Sequence, residues 1–200
     1  MILSDRAYAA VWVQREAALK GLVLTTFYAF CEERVGVDAL DDIIEAANLP
    51  HAGGYTSVGT YPFAEMVSLI TAYVSHSGKG MPCVMEQFGE FCFASWVKKF
   101  PSLFADRDLF DVLASIDDFH QSEVLKLYPD AELPSFKVIA RTNDFVVLDY
   151  RSCKPLADLA VGVIRGAACH LSCPVEISYA SAPEGIHFRV DRAGLHRLAA

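Results

Sequence analysis

Residues 108–129, DLFDVLASIDDFHQSEVLKLYP, decide how this chain is read. Leu113, Ile116, His120, Val124 and Leu127 recur at intervals of three and four. That spacing predicts one amphipathic helix with these five side chains on a single face, and Asp117 and Asp118 elsewhere. The face is apolar except for His120. A histidine in such a stripe is commonly structural, hydrogen-bonded to a carbonyl or buried in its neutral form. It can equally be a ligand for something that the chain encloses, and spacing alone does not separate the two.

Upstream, the pattern stays helical. Val23, Phe27, Phe30 and Cys31 mark a helix over about Lys20 to Arg34, stopped by Gly36. Asp38 is a candidate cap for a short helix bearing Leu40, Ile43, Ile44 and Ala47. NLPHAGGYTSVGTYP (48–62) reads as a loop. FAEMVSLITAYVSHSG (63–78) is a helix that ends near Gly78, with Met66, Ile70, Tyr73 and Val74 on one side. Pro82 suits the first turn of the next helix, which presents Val84, Phe88, Cys92, Trp96 and Phe100 before Pro101 breaks it.

Downstream, the period changes. After Pro134, FKVIAR and FVVLDYRS are strand-like runs around Thr142-Asn143-Asp144, a hairpin pattern. PLADLAVGVIRGAACHL returns to helix, with Leu156, Leu159, Val163 and Ile164 as its stripe. VEISYA and IHFRV form a second strand pair around Pro183-Glu184-Gly185. A helical N-terminal half followed by a β2-α-β2 half is an α+β arrangement. Residues 1–19 read as an N-terminal extension whose Tyr8, Val11, Trp12 and Val13 suit a packing helix, and residues 20–200 as a single domain.

Composition narrows the function classes. Hydrophobic residues make up 53% of the 200 and charged residues 21%, which is a folded rather than a disordered balance. A net charge of -8 without a basic run disfavours nucleic acid and anionic membrane as partners. No apolar stretch reaches the ~18 residues of a spanning helix. Asp5, Arg6, Arg15 and Glu16 interrupt the N-terminal apolar run, which argues against a secretory signal and for the cytoplasm. The six cysteines include no CxxC pair and suit buried or free thiols in a reducing compartment. No nucleophile–base pair or carboxylate dyad stands out, so an enzyme is the weakest reading.

Two chemical signals remain. A neutral imidazole facing an apolar cavity is what haem iron takes as an axial ligand. Tyr150, Ser152 and Lys154, at a strand end, point the same way if the chain stays extended, and offer a phenol, a hydroxyl and an ammonium suited to carboxylates. An ordinary polar strand edge would look the same.

Taken in order, these segments resemble the haem-nitric oxide/oxygen binding (H-NOX) domain, the sensor module related to soluble guanylate cyclase. KGLVLTTFYAF is similar to the family's opening helix, and FPSLFADRDLFDVLASIDDFH to the segment ending in its proximal histidine. LPSF resembles the stretch with the family's haem-distorting proline, and YRSCKPLADLAVGVIRG its Tyr-x-Ser-x-Arg propionate motif and following helix. The similarity runs from about Lys20 to about Val190. It implies haem b held between the helical and the sheet-bearing subdomains. His120 would be the axial ligand, Pro134 would press on the porphyrin, and Tyr150 and Ser152 would bind the propionates.

Lys154 departs from the family's arginine: it keeps the charge and loses the bidentate fork. Arg151 is a substitute donor that strand alternation points to the other face. The resemblance places Val23, Phe27, Cys92, Trp96, Leu159 and Val163 in the distal pocket. Leu159, where oxygen-binding members carry a tyrosine, offers no donor, which favours nitric oxide and carbon monoxide over oxygen. Trp96 is the one side chain there with an N–H to offer. The implied mechanism is a two-state switch in which weakening of the iron–histidine bond and relaxation of the haem release the helix. Stand-alone bacterial members act on a separate partner, a histidine kinase or a cyclic-dinucleotide enzyme.

Two rivals follow from other residues. Cys169, His170 and Cys173, with Cys153 or His187 as a fourth ligand, suit a zinc or thiol redox sensor on the same fold. A pocket of this shape could also take a different apolar ligand.

Overall fold

The computed structural model describes residues 17–194. The expected helix around Tyr8 to Val13 lies outside the described residues. The chain divides into two compact units between Phe88 and Gly89.

In the first unit, β1 (Ala18–Lys20) pairs antiparallel with β2 (Thr60–Pro62). Both lie where a strand was not expected: β1 covers the end of the N-terminal extension, and β2 falls in the 48–62 loop, which also holds a 3-10 turn at Pro50–Gly53. Three helices follow the expected pattern: α1 (Gly21–Val35), α2 (Val37–Ala47) and α3 (Phe63–Ser77). Asp38 lies in the first turn of α2 rather than at its cap, which is Gly36. Gly78 closes α3 in the left-handed region (φ 68°), its N–H donating to the Val74 carbonyl at 3.0 Å.

On α1, Phe27, Phe30 and Cys31 of the expected face are buried, with Leu24 in place of the half-buried Val23, and on α3 Met66, Ile70 and Tyr73 are buried and Val74 is half-buried. Phe27 meets the ring of Phe88 edge-on at 5.0 Å and that of Tyr73 at 5.9 Å. Each fully buried side chain of this kind contributes about 1.5–3 kcal/mol, and each edge-on pair roughly 0.5–1.5 kcal/mol more.

The second unit holds the four-stranded antiparallel sheet, in the order β3-β4-β6-β5: β3 (Ser135–Arg141), β4 (Phe145–Arg151), β5 (Val175–Ala182) and β6 (Gly185–Arg192). The β3–β4 turn closes as expected. Thr142 N–H donates to the Phe145 carbonyl, and its hydroxyl accepts from the Asp144 and Phe145 amides. A register shift between Val138 and Ala140 bulges the β3 edge and leaves Ile139 exposed. Strand alternation buries Val146, Leu148 and Tyr150 of β4 with Phe188 and Val190 of β6.

Two helices pack on this core: α4 (Met81–Lys99), through Phe93, and α8 (Ala157–His170). The inner face of α8 differs from the expected stripe. Ala160, Val161, Ile164, Ala167 and Ala168 are buried, whereas Leu156, Leu159 and Val163 are half-buried. Gly89 explains the close approach: a Cβ there would stand 2.3 Å from the Leu159 carbonyl oxygen and 2.7 Å from the Val163 nitrogen.

Residues 108–129 are helical but not one helix. They form α5 (Leu109–Ala114), α6 (Ile116–Phe119), a π turn at His120–Val124 and a last short turn, α7 (Leu125–Leu127). Asp108 caps α5 by accepting from the Phe110 amide at 2.9 Å. The first break is at Ser115, whose hydroxyl bonds back to the Val112 carbonyl at 2.9 Å. The second is the wide turn, where the Leu125 N–H reaches the His120 carbonyl. These breaks re-aim the stripe: Leu113 is buried, Ile116, His120 and Val124 are half-buried, and Leu127 is 69% exposed.

Candidate functional site

His120 opens the π turn. Its Nδ1 is buried and, among the described residues, is the buried side-chain nitrogen or oxygen atom left without a hydrogen-bond partner. Burial lowers the pKa of this imidazole below its ordinary 6.5, with Asp117 and the Pro134 carbonyl pulling the other way. Burial therefore favours the neutral ring, the form in which an imidazole binds a metal. It lines a half-open cleft of about 250 Å³ with Asp117, Leu125, Leu133 and Pro134. Drug-sized ligands occupy pockets of roughly 300–1,000 Å³, so this cleft is a gap between His120 and the Pro134 segment rather than a chamber for a porphyrin.

Two polar ties fix that segment. On its C-terminal side, Asp117 accepts from the Phe136 amide at 2.7 Å. On its N-terminal side, Glu132 accepts from Lys154 Nζ at 2.8 Å. Pro134 is thus held between an anchor on the His120 helix and an anchor on the loop after β4.

The Tyr150, Ser152 and Lys154 set is only partly brought together. Tyr150 is buried on β4, its ring 4.9 Å from that of Phe136 and 5.4 Å from that of Phe188. Burial pushes its phenol up to about 12, against a lowering contribution from the Ser152 hydroxyl. The strand ends at Arg151, and the Ser152 hydroxyl turns back to accept from the Lys154 amide at 3.0 Å. This local turn ends the simple alternation that would have pointed all three side chains one way.

Lys154 is instead only 4% exposed and is paired with Glu132, with Cys153 Sγ 3.5 Å from its Nζ. Arg151 faces away from the set, as alternation requires, and donates to Asp149 at 2.8 Å and to Glu184. Glu132 was missed in the sequence reading. Its signal was an acid two residues before Pro134, opposite in charge to the departing lysine.

The six expected distal residues fall in both units. In the first, Phe27 is fully buried and Val23 half-buried. In the second, Cys92 is buried, which pushes its thiol well above the ordinary range. Trp96 and Val163 are partly buried against the same core, and Leu159 is half-buried. Leu159 and Val163 carry no donor and the buried Cys92 thiol is a weak one, which leaves the Trp96 indole N–H as the strong side-chain donor among these residues.

The zinc expectation finds no support. Among the described residues, no three His, Cys, Asp or Glu side chains gather as a metal site. His170 lies 6.1 Å from the Phe93 ring, Cys173 accepts from Arg192 at 3.1 Å, and His187 sits 3.6 Å from Asp149 on the sheet. Cys153 stands apart from these, beside Glu132 and Lys154.

The His120 Nδ1 is thus left open to a further partner, whereas of the expected carboxylate donors the Ser152 hydroxyl already accepts from the Lys154 amide and the Lys154 ammonium already holds Glu132.

A model of the haem-NO-binding family matches residues 20–179. The structure is similar to that of the Fe(II) unliganded H-NOX protein from K. algicida, with 29% identity, a TM-score of 0.79, and 88% of this chain and 97% of that one covered. It also shares its fold with the H-NOX protein from S. oneidensis in the Fe(II)NO state, at 21% identity and a TM-score of 0.79, covering 88% and 100%. A mutant of the T. tengcongensis H-NOX follows at 18% identity and a TM-score of 0.78, covering 88% and 98%. No curated protein matches the chain.

Proposed function

Because this chain belongs to the haem-NO-binding (H-NOX) family, a family of haem-based gas sensors, we propose that it binds haem b through His120 and senses nitric oxide and carbon monoxide. The observation that carries the proposal is the buried His120 Nδ1 without a partner. A purely structural histidine would satisfy its buried nitrogen, since leaving it bare costs roughly 1–3 kcal/mol. Tyr150, Ser152 and Lys154 would hold the haem carboxylates, and Pro134, pinned on both sides, would press on the ring.

When bound, haem would supply a ferrous iron able to take a diatomic gas, and His120 would hold that iron. The chain provides the rest. Leu159 and Val163 carry no donor with which to steady a polar bound oxygen, which favours nitric oxide and carbon monoxide. A loosened hold on His120 would free a short, already interrupted helical segment. Residues 20–200 act in this reading as a single sensor domain and not as an enzyme. The signal would pass to a separate protein, a histidine kinase or a cyclic-dinucleotide enzyme. No helix among the described residues is long and apolar enough to cross a membrane.

The test is spectroscopic. Purified chain should take up haem and show a Soret band that shifts with nitric oxide and with carbon monoxide when reduced. His120→Gly should lose this axial ligation and regain it with free imidazole. A folded chain that stays colourless after added haem refutes the proposal.

A further inference from the structure

The side chain of Lys154 is 3% exposed, whereas that of Glu132, its partner at 2.8 Å, is half exposed. A buried ammonium needs a carboxylate, and here the chain supplies its own. Lys154 also stands where the family motif places its cationic propionate ligand, and its amide is fixed by Ser152, a neighbour in the same set. One cation thus faces two claims, from Glu132 and from a haem carboxylate.

We propose that Glu132 is an internal stand-in for a haem propionate: it neutralises Lys154 in the haem-free protein and competes with the propionate for it in the loaded one. This rests on the haem-sensor reading. The competition depends on the lysine. An arginine has five donors in a planar fork, whereas the lysine ammonium has three, and those of Lys154 already face the Glu132 carboxylate, the Glu132 carbonyl and the Cys153 sulfur. Glu132 is a positioning residue here, acting on haem through Lys154. Because it lies two residues before Pro134, its hold on Lys154 also fixes one end of the segment that faces His120.

Haem-loaded full-length chain is mixed with excess haem-free globin, which captures released haem, and transfer is followed by absorbance. Glu132→Gln, which removes the competing charge, slows transfer about tenfold, a figure reduced for the half-exposed carboxylate. In a Lys154→Met background the same substitution has no effect, because there is no cation left to contest. Without haem, Glu132→Gln melts below wild type; with haem, the two melt alike. Glu132→Asp, which keeps the charge on a shorter arm, gives an intermediate rate. Its loaded form provides the measurement even where the neutral variant does not fold without haem. Haem loss that is unchanged or faster in Glu132→Gln, or an equal effect with and without Lys154, overturns the inference while leaving the sensor reading intact. A chain that takes up no haem overturns both.

Discussion

Replacing His120 by leucine should stabilise the haem-free protein. In the structure its Nδ1 is buried without a partner, and burial already disfavours the charged ring. An unsatisfied buried polar atom costs roughly 1–3 kcal/mol. The lower end applies, because the residue as a whole is half-buried and the Pro134 carbonyl eases the ring slightly. Leucine removes the polar atom and fills a comparable volume, for a gain of about 1 kcal/mol. In a chain of 200 residues that corresponds to a rise in Tm of about 2–4 °C. Calorimetry on haem-free wild type and His120→Leu measures it directly. On the proposed reading the same variant should lose haem-iron coordination, so one substitution should raise the stability of the empty protein and abolish its proposed function. A structural histidine behaves in the opposite way. If His120→Leu melts several degrees lower without haem, His120 is a satisfied part of the core and the argument from its bare nitrogen fails.

Three further outcomes follow. Tyr150→Phe removes a phenol donor but keeps the ring that packs on Phe136 and Phe188; haem capture by a globin should quicken about tenfold, at the scale of one hydrogen bond to a charged group, and an unchanged rate would remove Tyr150 from the site. Gly89→Ala drives a Cβ to 2.3 Å from the Leu159 carbonyl, so urea unfolding should show a loss of about 1–3 kcal/mol, and a neutral result would mean that α4 and α8 separate freely. The last concerns acid. Partial burial acts to raise the Asp108 carboxyl, but hydrogen bonds from Arg192 and the Phe110 amide outweigh it and hold the group below its ordinary 3.8. A carboxyl depressed in the fold stabilises it fully above that value and loses the contribution as pH falls through the folded pKa. Asp108→Ala should therefore cost about 1 kcal/mol at neutral pH, the scale of a lost helix cap, and much less near pH 2, read by circular dichroism.

Local pattern made much of this fold legible before the structure. The α1 and α3 faces, the Gly78 stop and the β3–β4 turn each depend on residues close in sequence. What was not legible depends on distant partners. β1 became a strand only by pairing Ala18 with Pro62 across the whole first helical stretch. The re-aimed inner face of α8 follows from Gly89 on another helix. In the site, helical spacing placed His120 and left its role open, and the motif downstream of it pointed to haem. Lys154 was visible as a departure, but its burial on Glu132 was not, because that pair spans a loop whose path no periodicity describes.

The wide turn at His120 has a mechanical consequence. A continuous helix behaves as a stiff rod, and a push at its middle would have to drag Leu109, Phe110 and Leu113 through their packed positions. Here the rod is jointed at Ser115 and again just beyond His120. The core end can stay clamped while the far end swivels. Each residue of a regular helix advances the rotation by about 100°, so drawing the wide turn in by one residue would sweep the exposed Leu127 around the axis by that order of angle. On the proposed reading, a small displacement of the His120 imidazole would gain a lever arm that ends in solvent at Leu127.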